Sequence, residues 1–397
     1  MNILIISPIY PDGKTGANFT KVVHYFAKEW KNIGHNVRVI NLPSYFPKLF
    51  YYAPENVKKF IAKKFGTPLP DKQTSEIEEY IIEGIPVIRI PMFKIFPGTR
   101  NSTKILNNTY EIIHQKLQTL NYVPDVIVAH WTEPSLYFVD RLKKQYSVPT
   151  LVVSHLSRIK HFQTSIPSVD MWGYRSISCA QDLKKQYPEI NFSFRCHSGI
   201  PEYFLEGLKP RNFEVINDYI YVGMMLPRKY PDVVIDIISE LYDPDDNFSL
   251  ELIGNGSMLD DLRDKVFKMN YQSKISLPGR IPREEIKDKL DKAQVFIMIS
   301  KDEVYGLVYL EAMARGCITI ASKGEGMDGI IEHGRNGFLI EAGNRVELKS
   351  IIEHIKCLSS QERLKISQNA IKTAQSYTNS KVALDYLNQV SKLVTNV

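Results

Sequence analysis

Short apolar runs rich in β-branched residues alternate along the chain with longer stretches of helical periodicity. Residues 3–6 form a run of Ile and Leu that predicts a buried strand, and residues 37–40 predict a second one. Between them, residues 20–32 predict a helix with an apolar face of Val22, Val23, Phe26, Ala27 and Trp30. A strand, a glycine-containing loop, a helix and another strand open a doubly wound α/β sheet, where ligands bind at strand carboxyl ends.

The same alternation continues to the end of the chain with one interruption. Residues 43–84 are rich in aromatic residues, lysines and prolines, and we interpret them as an insertion. Further strands are predicted at residues 85–90, 126–129, 150–154, 219–223, 248–253, 275–277, 295–299 and 318–320. A last helix over residues 381–394 has an apolar face of Val382, Leu384, Leu387, Val390 and Leu393. The polar stretch 204–214 predicts a boundary between two domains.

Length, charge and cysteine usage limit the class of protein. The chain has 397 residues, enough for two domains with full cores, and a net charge of +6. This charge is too mild to indicate a nucleic-acid partner, although it suits anionic substrates and membranes. The cysteines have no paired spacing, which argues against a zinc site and fits a reducing compartment. With no signal-peptide pattern and no run long enough to span a bilayer, we expect a cytoplasmic protein.

The candidate chemistry is concentrated around two acids, Glu303 and Glu311. A helix is predicted from Leu307, and the backbone N–H groups of Leu307 and Val308 at its start favour an anion such as a diphosphate. Gly306 allows a ligand to approach the backbone there. Glu303 precedes this point and Glu311 lies one turn beyond it. Because carboxylates accept paired hydrogen bonds from hydroxyl groups, the arrangement suits a sugar on one side of a diphosphate and a ribose on the other.

The segment from Glu303 to Gly316 reads EVYGLVYLEAMARG and resembles the Glu-x7-Glu segment of the retaining, GT-B-fold glycosyltransferases of family 4. The resemblance covers nearly the whole chain and is strongest over residues 279–340. It implies an α/β protein of two Rossmann-like domains that face each other across a cleft. The first domain is expected at residues 1–207, with the insertion at 43–84, and the second at 208–376. Residues 377–397 are expected to form a helix that crosses back to the first domain.

The resemblance also implies a cationic clamp for the donor diphosphate after the strand that ends at Gly223. The family usually has Gly-Arg there, followed by Lys-Gly. Here Met224 takes the place of the arginine, and Arg228, Lys229 and Tyr230 occupy the neighbourhood of the Lys-Gly pair. Lys229 matches the family's lysine, and we expect Arg228 to supply the charge that Met224 lacks. A solvated Arg-Lys pair without a ligand is the alternative.

Other donor contacts follow from the same resemblance. Gly254 lies at a strand-to-glycine turn, and the family presents backbone groups near Arg280 and Ile281 to the base. Glu311 is expected to bind the ribose and Glu303 the donor sugar. The predicted diphosphate site is formed by Gly306, Leu307 and Val308.

Three candidate residues lie in the first domain. Gly16 stands where the family has a Gly-Gly pair beside the diphosphate. His130 and His155 each follow the carboxyl end of a predicted parallel strand, so their side chains are expected in one crevice. In the family the histidine at the second position contacts the donor sugar, a role we assign to His155, and we place His130 on the acceptor side. Residues 176–179 resemble a short strand late in the family's first domain.

The function implied is sugar transfer with retention of configuration. The donor is a nucleotide-diphosphate sugar, with a UDP-sugar favoured over a GDP-sugar, and the acceptor is a glycan or lipid-linked glycan in cell-surface polysaccharide assembly. Lys229, Arg228 and the helix start would stabilise the leaving diphosphate, so we expect neither a metal ion nor another cofactor. Two alternatives remain open: an epimerase or hydrolase of nucleotide sugars with the same fold, or a nucleotide-sugar-binding protein without catalysis, motivated by Met224.

The insertion carries a prediction about a membrane. A helical wheel from Pro54 places Val57, Phe60, Ile61 and Phe65 on one face, with Lys58, Lys59, Lys63 and Lys64 opposite and on the flanks. Such a pattern is typical of a helix in an anionic membrane interface, and an ordinary surface helix is the alternative. Residues 48–65 are therefore predicted to hold the protein peripherally on the inner face of the cell membrane, near a lipid-linked acceptor.

Overall fold

A computed structural model describes residues 1–12, 21–54, 57, 74–155 and 168–395. The chain divides into two α/β units. The first comprises Met1–Arg175, Cys179–His197 and Ala383–Val397, and the second Ser176–Ser178 and Ser198–Val382. Gly16 and most of the helix predicted after Pro54 lie outside the described residues.

The first unit is built on an eight-stranded sheet in the order β10-β9-β8-β7-β1-β2-β5-β4. Neighbouring strands are parallel, except that β4 pairs antiparallel with β5 at the edge. Two further short strands, β3 and β6, pair with each other. The strands are β1 Asn2–Ser7, β2 Asn36–Asn41, β3 Ser44–Tyr45, β4 Glu78–Ile82, β5 Ile85–Arg89, β6 Met92–Phe93, β7 Val126–His130, β8 Thr150–Ser154, β9 Met171–Tyr174 and β10 Phe192–Arg195.

Helices cover this sheet with the apolar faces that their periodicity predicts. The first, α1 (Val22–Asn32), buries Val22, Val23, Phe26, Ala27 and Trp30, the face read from the sequence. The other described helices that begin before residue 198 are α2 Lys48–Tyr51, α3 Thr103–Thr119, α4 Ser135–Tyr146 and α5 Ile177–Gln186.

The second unit has a six-stranded, all-parallel sheet in the order β13-β12-β11-β14-β15-β16. Every residue of β14, β15 and β16 is buried, as in a parallel sheet that is covered on both faces. The strands are β11 Asp218–Val222, β12 Ser249–Ile253, β13 Ile275–Gly279, β14 Val295–Ile297, β15 Ile318–Ser322 and β16 Phe338–Ile340. The helices are α6 Pro231–Leu241, α7 Leu259–Lys268, α8 Arg283–Lys292, α9 Leu307–Ala314, α10 Arg345–Cys357 and α11 Ser360–Ala374, with 3-10 turns at Glu202–Leu205 and Pro227–Lys229.

The last helix, α12 (Asn379–Thr395), begins in the second unit and continues in the first, as predicted. Within the first unit, Trp30 Nε1 donates a hydrogen bond to the Ala383 carbonyl at 2.8 Å. Tyr386 packs edge-on against the rings of Phe26 and Trp30. Leu384, which we expected on the apolar face, is half exposed, because Ala383 and Tyr386 turn inward instead.

Arg315 holds the stretch around residues 204–207 on the second unit. Its buried guanidinium donates to the carbonyls of Phe204, Glu206 and Gly207 at 2.7–3.0 Å and pairs with Asp291. These bonds fix the connecting stretch on the second unit. The chain accordingly leaves the first unit after His197, earlier than the boundary expected at residue 207.

Two local expectations are wrong or incomplete. Residues 177–179, within the stretch 176–179 expected as a strand, form the first turn of α5, because Cys179 and Leu183 are four residues apart and are buried on one helical face. The strand is β9, just upstream. The end of the presumed insertion forms the edge strand β4 of the main sheet.

Among the described residues, none of the helices is long and apolar enough to cross a lipid bilayer.

Candidate functional site

Gly223 and Gly254 follow adjacent strands of the second unit, β11 and β12, and their backbones nearly touch. Gly223 N donates to Ile253 O, and Gly254 N donates to Gly279 O, both at 2.9 Å. A Cβ atom on Gly254 would lie 1.8 Å from the Gly223 carbonyl oxygen. No side chain fits between these strand ends. Gly223 and Gly254, both predicted near the donor substrate, therefore present only backbone atoms there.

Helix α9 begins directly after Gly306, as predicted. Gly306 has a φ of +75°, and a Cβ there would lie 2.4 Å from the Tyr309 ring and 3.4 Å from Cγ of Glu303. The amides of Leu307 and Val308 open the helix, where backbone N–H groups have no acceptor within the helix itself. The Glu303 side chain therefore lies beside the positive end of α9.

Lys229 and Glu303 form an ion pair in the second unit. Their side chains are 7% and 14% exposed. Burial lowers the pKa of the Lys229 ammonium, and the Glu303 carboxylate offsets part of that shift. The Lys229 ammonium is therefore held by the Glu303 carboxylate, close to the start of α9.

Arg228 is hydrogen-bonded to the loop that carries Glu303. Its guanidinium donates to the carbonyls of Lys301 and Asp302, each at 3.1 Å, and its own carbonyl accepts from Lys301 N at 2.8 Å. Met224, in place of the family's arginine, is 54% exposed. Arg228 and Lys229 therefore place two positive charges near the loop, where Met224 supplies none.

Tyr230 explains why the family favours glycine after the lysine. Its φ is +51°, in the left-handed region, where a side chain costs roughly 1–2 kcal/mol. Its ring packs over Gly343, where a Cβ would come within 2.7 Å of it. Ring packing thus compensates for the strained backbone.

Glu325 is a functional candidate that sequence reasoning missed. Its carboxylate accepts hydrogen bonds from the backbone N–H of Asp302 at 3.0 Å and of Glu303 at 2.6 Å. Gly326 N donates to the Glu303 carbonyl at 2.8 Å, so the Glu303 backbone is held on both sides. Its sequence signal is only an acid within the glycine-rich stretch 321–329.

Glu311 is buried on α9 and carries a partner that the sequence did not indicate. Arg283, the first residue of α8, places a guanidinium nitrogen 2.5 Å from Glu311 Oε1. Burial raises the pKa of the Glu311 carboxyl, and Arg283 opposes that rise. Arg280 is exposed and Ile281 half-buried, both between β13 and α8.

The first unit brings its two predicted histidines together. His130 ends β7, His155 follows β8, and His130 Nδ1 lies 3.0 Å from His155 Nε2. Burial, with the nearby Arg175 guanidinium, lowers the pKa of His130 to about 3 and also lowers that of His155. Both rings are therefore neutral near pH 7. Trp131, with a φ of +59°, stacks on His155 at a centroid distance of 4.0 Å.

The sequence and the fold are similar to those of known glycosyltransferases. Residues 209–373 match the family described as glycosyl transferases group 1. An uncharacterized glycosyltransferase of Methanocaldococcus jannaschii is 26% identical over 283 residues, covering 69% of this chain and 76% of the relative. The Escherichia coli UDP-Gal:alpha-D-GlcNAc-diphosphoundecaprenol alpha-1,3-galactosyltransferase is 31% identical over 168 residues, covering 40% of this chain and 39% of that enzyme.

A solved structure shows the same fold over the full length. HepE from Anabaena, in complex with UDP and glucose, is similar with a TM-score of 0.64 at 16% identity, covering 99% of this chain and all of that one. At this identity the likeness establishes the fold alone. The relatives are named glycosyltransferases and the fold is GT-B, so the chain is a GT-B-fold glycosyltransferase whose residues 209–373 match the group 1 family.

Proposed function

We propose that this glycosyltransferase uses a nucleotide-diphosphate sugar, with a UDP-sugar favoured, and transfers the sugar with retention of configuration to a glycan or lipid-linked glycan acceptor of the cell surface. The observation that carries the proposal is the buried Lys229–Glu303 pair beside the first N–H groups of α9, with Glu311 on the same helix. The Anabaena structure with UDP and glucose and the undecaprenol-linked substrate named for the E. coli relative support the donor and acceptor classes.

In the proposed binding mode, the donor diphosphate replaces Glu303 as the ion-pair partner of Lys229. The ammonium then faces phosphate oxygens together with the amides of Leu307 and Val308, where the helix dipole favours negative charge. Glu303, released from the lysine, accepts hydroxyl hydrogen bonds from the donor sugar. Glu311 accepts from the ribose, while Arg283 restrains its carboxylate.

The chemical step follows from the charges at this site. The bond between the sugar C1 and the diphosphate oxygen breaks, and negative charge develops on the leaving group near Lys229 and the helix start. The acceptor oxygen forms the new bond to C1 on the same face, and its proton passes to the leaving phosphate. We expect this step to need no metal ion, and we assign His155 to the donor sugar and His130 to the acceptor side.

A turnover panel tests this assignment. UDP-, GDP- and ADP-sugars are incubated with and without undecaprenyl-diphosphate-linked and free oligosaccharide acceptors, and nucleotide release is measured. We expect fastest release with a UDP-sugar and an acceptor, and proton NMR of the product should show the donor's anomeric configuration. Release that no acceptor accelerates would indicate an epimerase or hydrolase, and an inverted product would contradict retention.

Membrane attachment is proposed for the first unit. Leu49 and Tyr52 are more than 80% exposed, Ile95 is 73% exposed, and Phe96 contacts Phe50. Leu49, Tyr52, Ile95 and Phe96 are thus exposed apolar side chains on two segments that the Phe50–Phe96 contact joins, and exposed apolar surface of this kind marks an interaction site. The lysine-rich stretch that follows α2 in the sequence would add attraction to anionic lipids.

Vesicle sedimentation separates the two contributions. Wild type should pellet with anionic liposomes and stay in solution with neutral ones. Changing Lys58, Lys59, Lys63 and Lys64 to Glu, or Leu49 and Tyr52 to Ser, should keep the protein in the supernatant. If both variants pellet as well as wild type, residues 48–65 are not the anchor.

A further inference from the structure

Three side chains in the first unit form a buried row that ends at His155. Tyr386 of α12 places its hydroxyl 3.4 Å from His130 Nε2, and His130 Nδ1 lies 3.0 Å from His155 Nε2. Tyr386 and His130 are almost fully buried, and His155 is 9% exposed. The row therefore connects the C-terminal helix with the histidine assigned to the substrate.

Ring packing fixes the orientation of each member. Tyr386 meets His130 edge-on at a centroid distance of 5.7 Å, Phe26 stacks on His130, and Trp131 stacks on His155. In such close packing a ring flip would require neighbouring rings to move. Which nitrogen carries the proton is thus decided by the hydrogen bonds and not by free rotation.

The proton positions follow from counting donors and acceptors. Both histidines are neutral, so each has one N–H and one bare nitrogen. The phenol of Tyr386 keeps its proton because burial raises its pKa well above the ordinary value. Leaving a buried donor without an acceptor is costly, and His130 Nε2 is the acceptor that the structure provides for Tyr386 among the described residues.

That donation determines the rest of the row. If Tyr386 O–H donates to His130 Nε2, the His130 proton is on Nδ1, and Nδ1–H donates to His155 Nε2. His155 then carries its own proton on Nδ1. The reverse direction would leave the Tyr386 hydroxyl proton without an acceptor in the described part of the chain.

We propose that Tyr386 is a positioning residue that acts through His130 to hold His155 in the Nδ1–H form, so that His155 offers a hydrogen-bond donor to an oxygen of the bound sugar substrate. This inference rests on the proposed function only for the identity of the bound molecule. The tautomer itself is a property of the free protein. It assigns a role in the reaction to the C-terminal helix.

Histidine tautomers can be read directly from long-range proton–nitrogen NMR spectra of protein labelled with 15N-histidine. His130→Gln and His155→Gln variants assign the signals. In free wild type we expect His155 to be protonated on Nδ1, and in Tyr386→Phe we expect a mixture of both tautomers. Protonation of His155 on Nε2 in wild type, or an unchanged spectrum in Tyr386→Phe, would overturn the proposal.

Kinetics then test whether the tautomer matters. Tyr386→Phe should lower kcat on the order of tenfold, the effect of about 1.4 kcal/mol in the barrier, with little change in KM for the nucleotide sugar. Tyr122→Phe is the matched control, since it also removes one buried hydroxyl of the first unit, bonded to the Asn36 carbonyl at 3.1 Å. Both variants should have similar melting temperatures.

The outcomes are distinguishable from failure of the proposed function. Should the NMR result hold and kcat be the same in Tyr386→Phe and Tyr122→Phe, the row exists without positioning His155 for the reaction, and the proposal is wrong. If wild type transfers no sugar in the turnover panel, the proposed function fails while the tautomer result stands on its own.

Discussion

The carboxylate of Glu325 accepts the backbone N–H of Glu303 at 2.6 Å, so one acid sets the position of another. Its second oxygen accepts from Asp302, whose φ of +55° marks a strained turn. Glu325 thereby holds the loop that presents Glu303 to Lys229. The loop's geometry depends on a residue 22 positions away in the sequence.

We first predict that Glu325→Gln lowers kcat about tenfold or more while nucleoside diphosphate affinity changes little. A glutamine has one oxygen, so one of the two amides loses its acceptor and the loop loosens. Steady-state kinetics and calorimetry measure the two effects. Glu347→Gln is the control, because Glu347 also accepts a backbone amide in this unit, that of Glu341 at 3.0 Å. Equal losses in both variants would show a general effect on stability.

Substitutions of the two acids in the Glu-x7-Glu segment should have different effects on nucleotide affinity. Glu311→Ala should weaken binding of donor and of free nucleoside diphosphate alike, by roughly 1–3 kcal/mol for lost charged hydrogen bonds to the ribose. Glu303→Ala should spare the nucleoside diphosphate and reduce turnover, because its proposed partner is the sugar. Equal losses of nucleotide affinity in calorimetry would contradict this division of roles.

Removing Lys229 or Arg228 should lower kcat, whereas removing a lysine from an ion pair elsewhere in the unit should not. Lys229→Ala and Arg228→Ala should each lower kcat by a factor of ten or more, since each removes positive charge near the leaving group. Lys265→Ala removes a lysine paired with Asp236 elsewhere in the unit and should leave kcat unchanged. A wild-type rate in Arg228→Ala would mean that Arg228 does not replace the charge missing at Met224.

The buried histidines predict a loss of stability in acid. In the unfolded chain their pKa is near 6.5, whereas that of folded His130 is about 3 and that of His155 is also lowered. Between these pH values the unfolded chain binds more protons, so the free energy of unfolding falls as pH decreases, by up to about 1.4 kcal/mol per pH unit for each histidine.

Thermal unfolding at a series of pH values checks this. The melting temperature of the first unit should fall from about pH 6.5 downward, and the double variant His130→Gln with His155→Gln should show a shallower fall. An identical pH dependence in wild type and the double variant would assign the acid sensitivity to other groups.

Periodicity and strand-end position predicted much of the fold and several site residues. Runs such as residues 150–154 contain enough β-branched residues to define a strand, and parallel strands align their carboxyl ends. That rule alone was sufficient to place His130 next to His155. Gly254 was likewise predictable as a close approach, because glycine after a buried strand has few other uses.

The missed residues share a different property: they act through partners far away in sequence. Arg283 and Glu311 are 28 positions apart, and Tyr386 and His130 are 256 apart. No local pattern marks such pairs, since each residue alone resembles a surface charge or a core aromatic. The inward turn of Tyr386 in place of Leu384 has the same origin, because packing against Phe26 and Trp30 decides the rotation of the helix.

The hydrogen bond from Trp30 to Ala383 joins residues 353 positions apart, which has a consequence for synthesis on the ribosome. Domains usually fold in order as the chain emerges, the N-terminal one first. Here the apolar face of α1 around Trp30 cannot be covered by α12 until Ala383 and Tyr386 have been translated. The first unit to be synthesised is therefore the last to be completed, and a chaperone that shields this face during translation would favour correct folding.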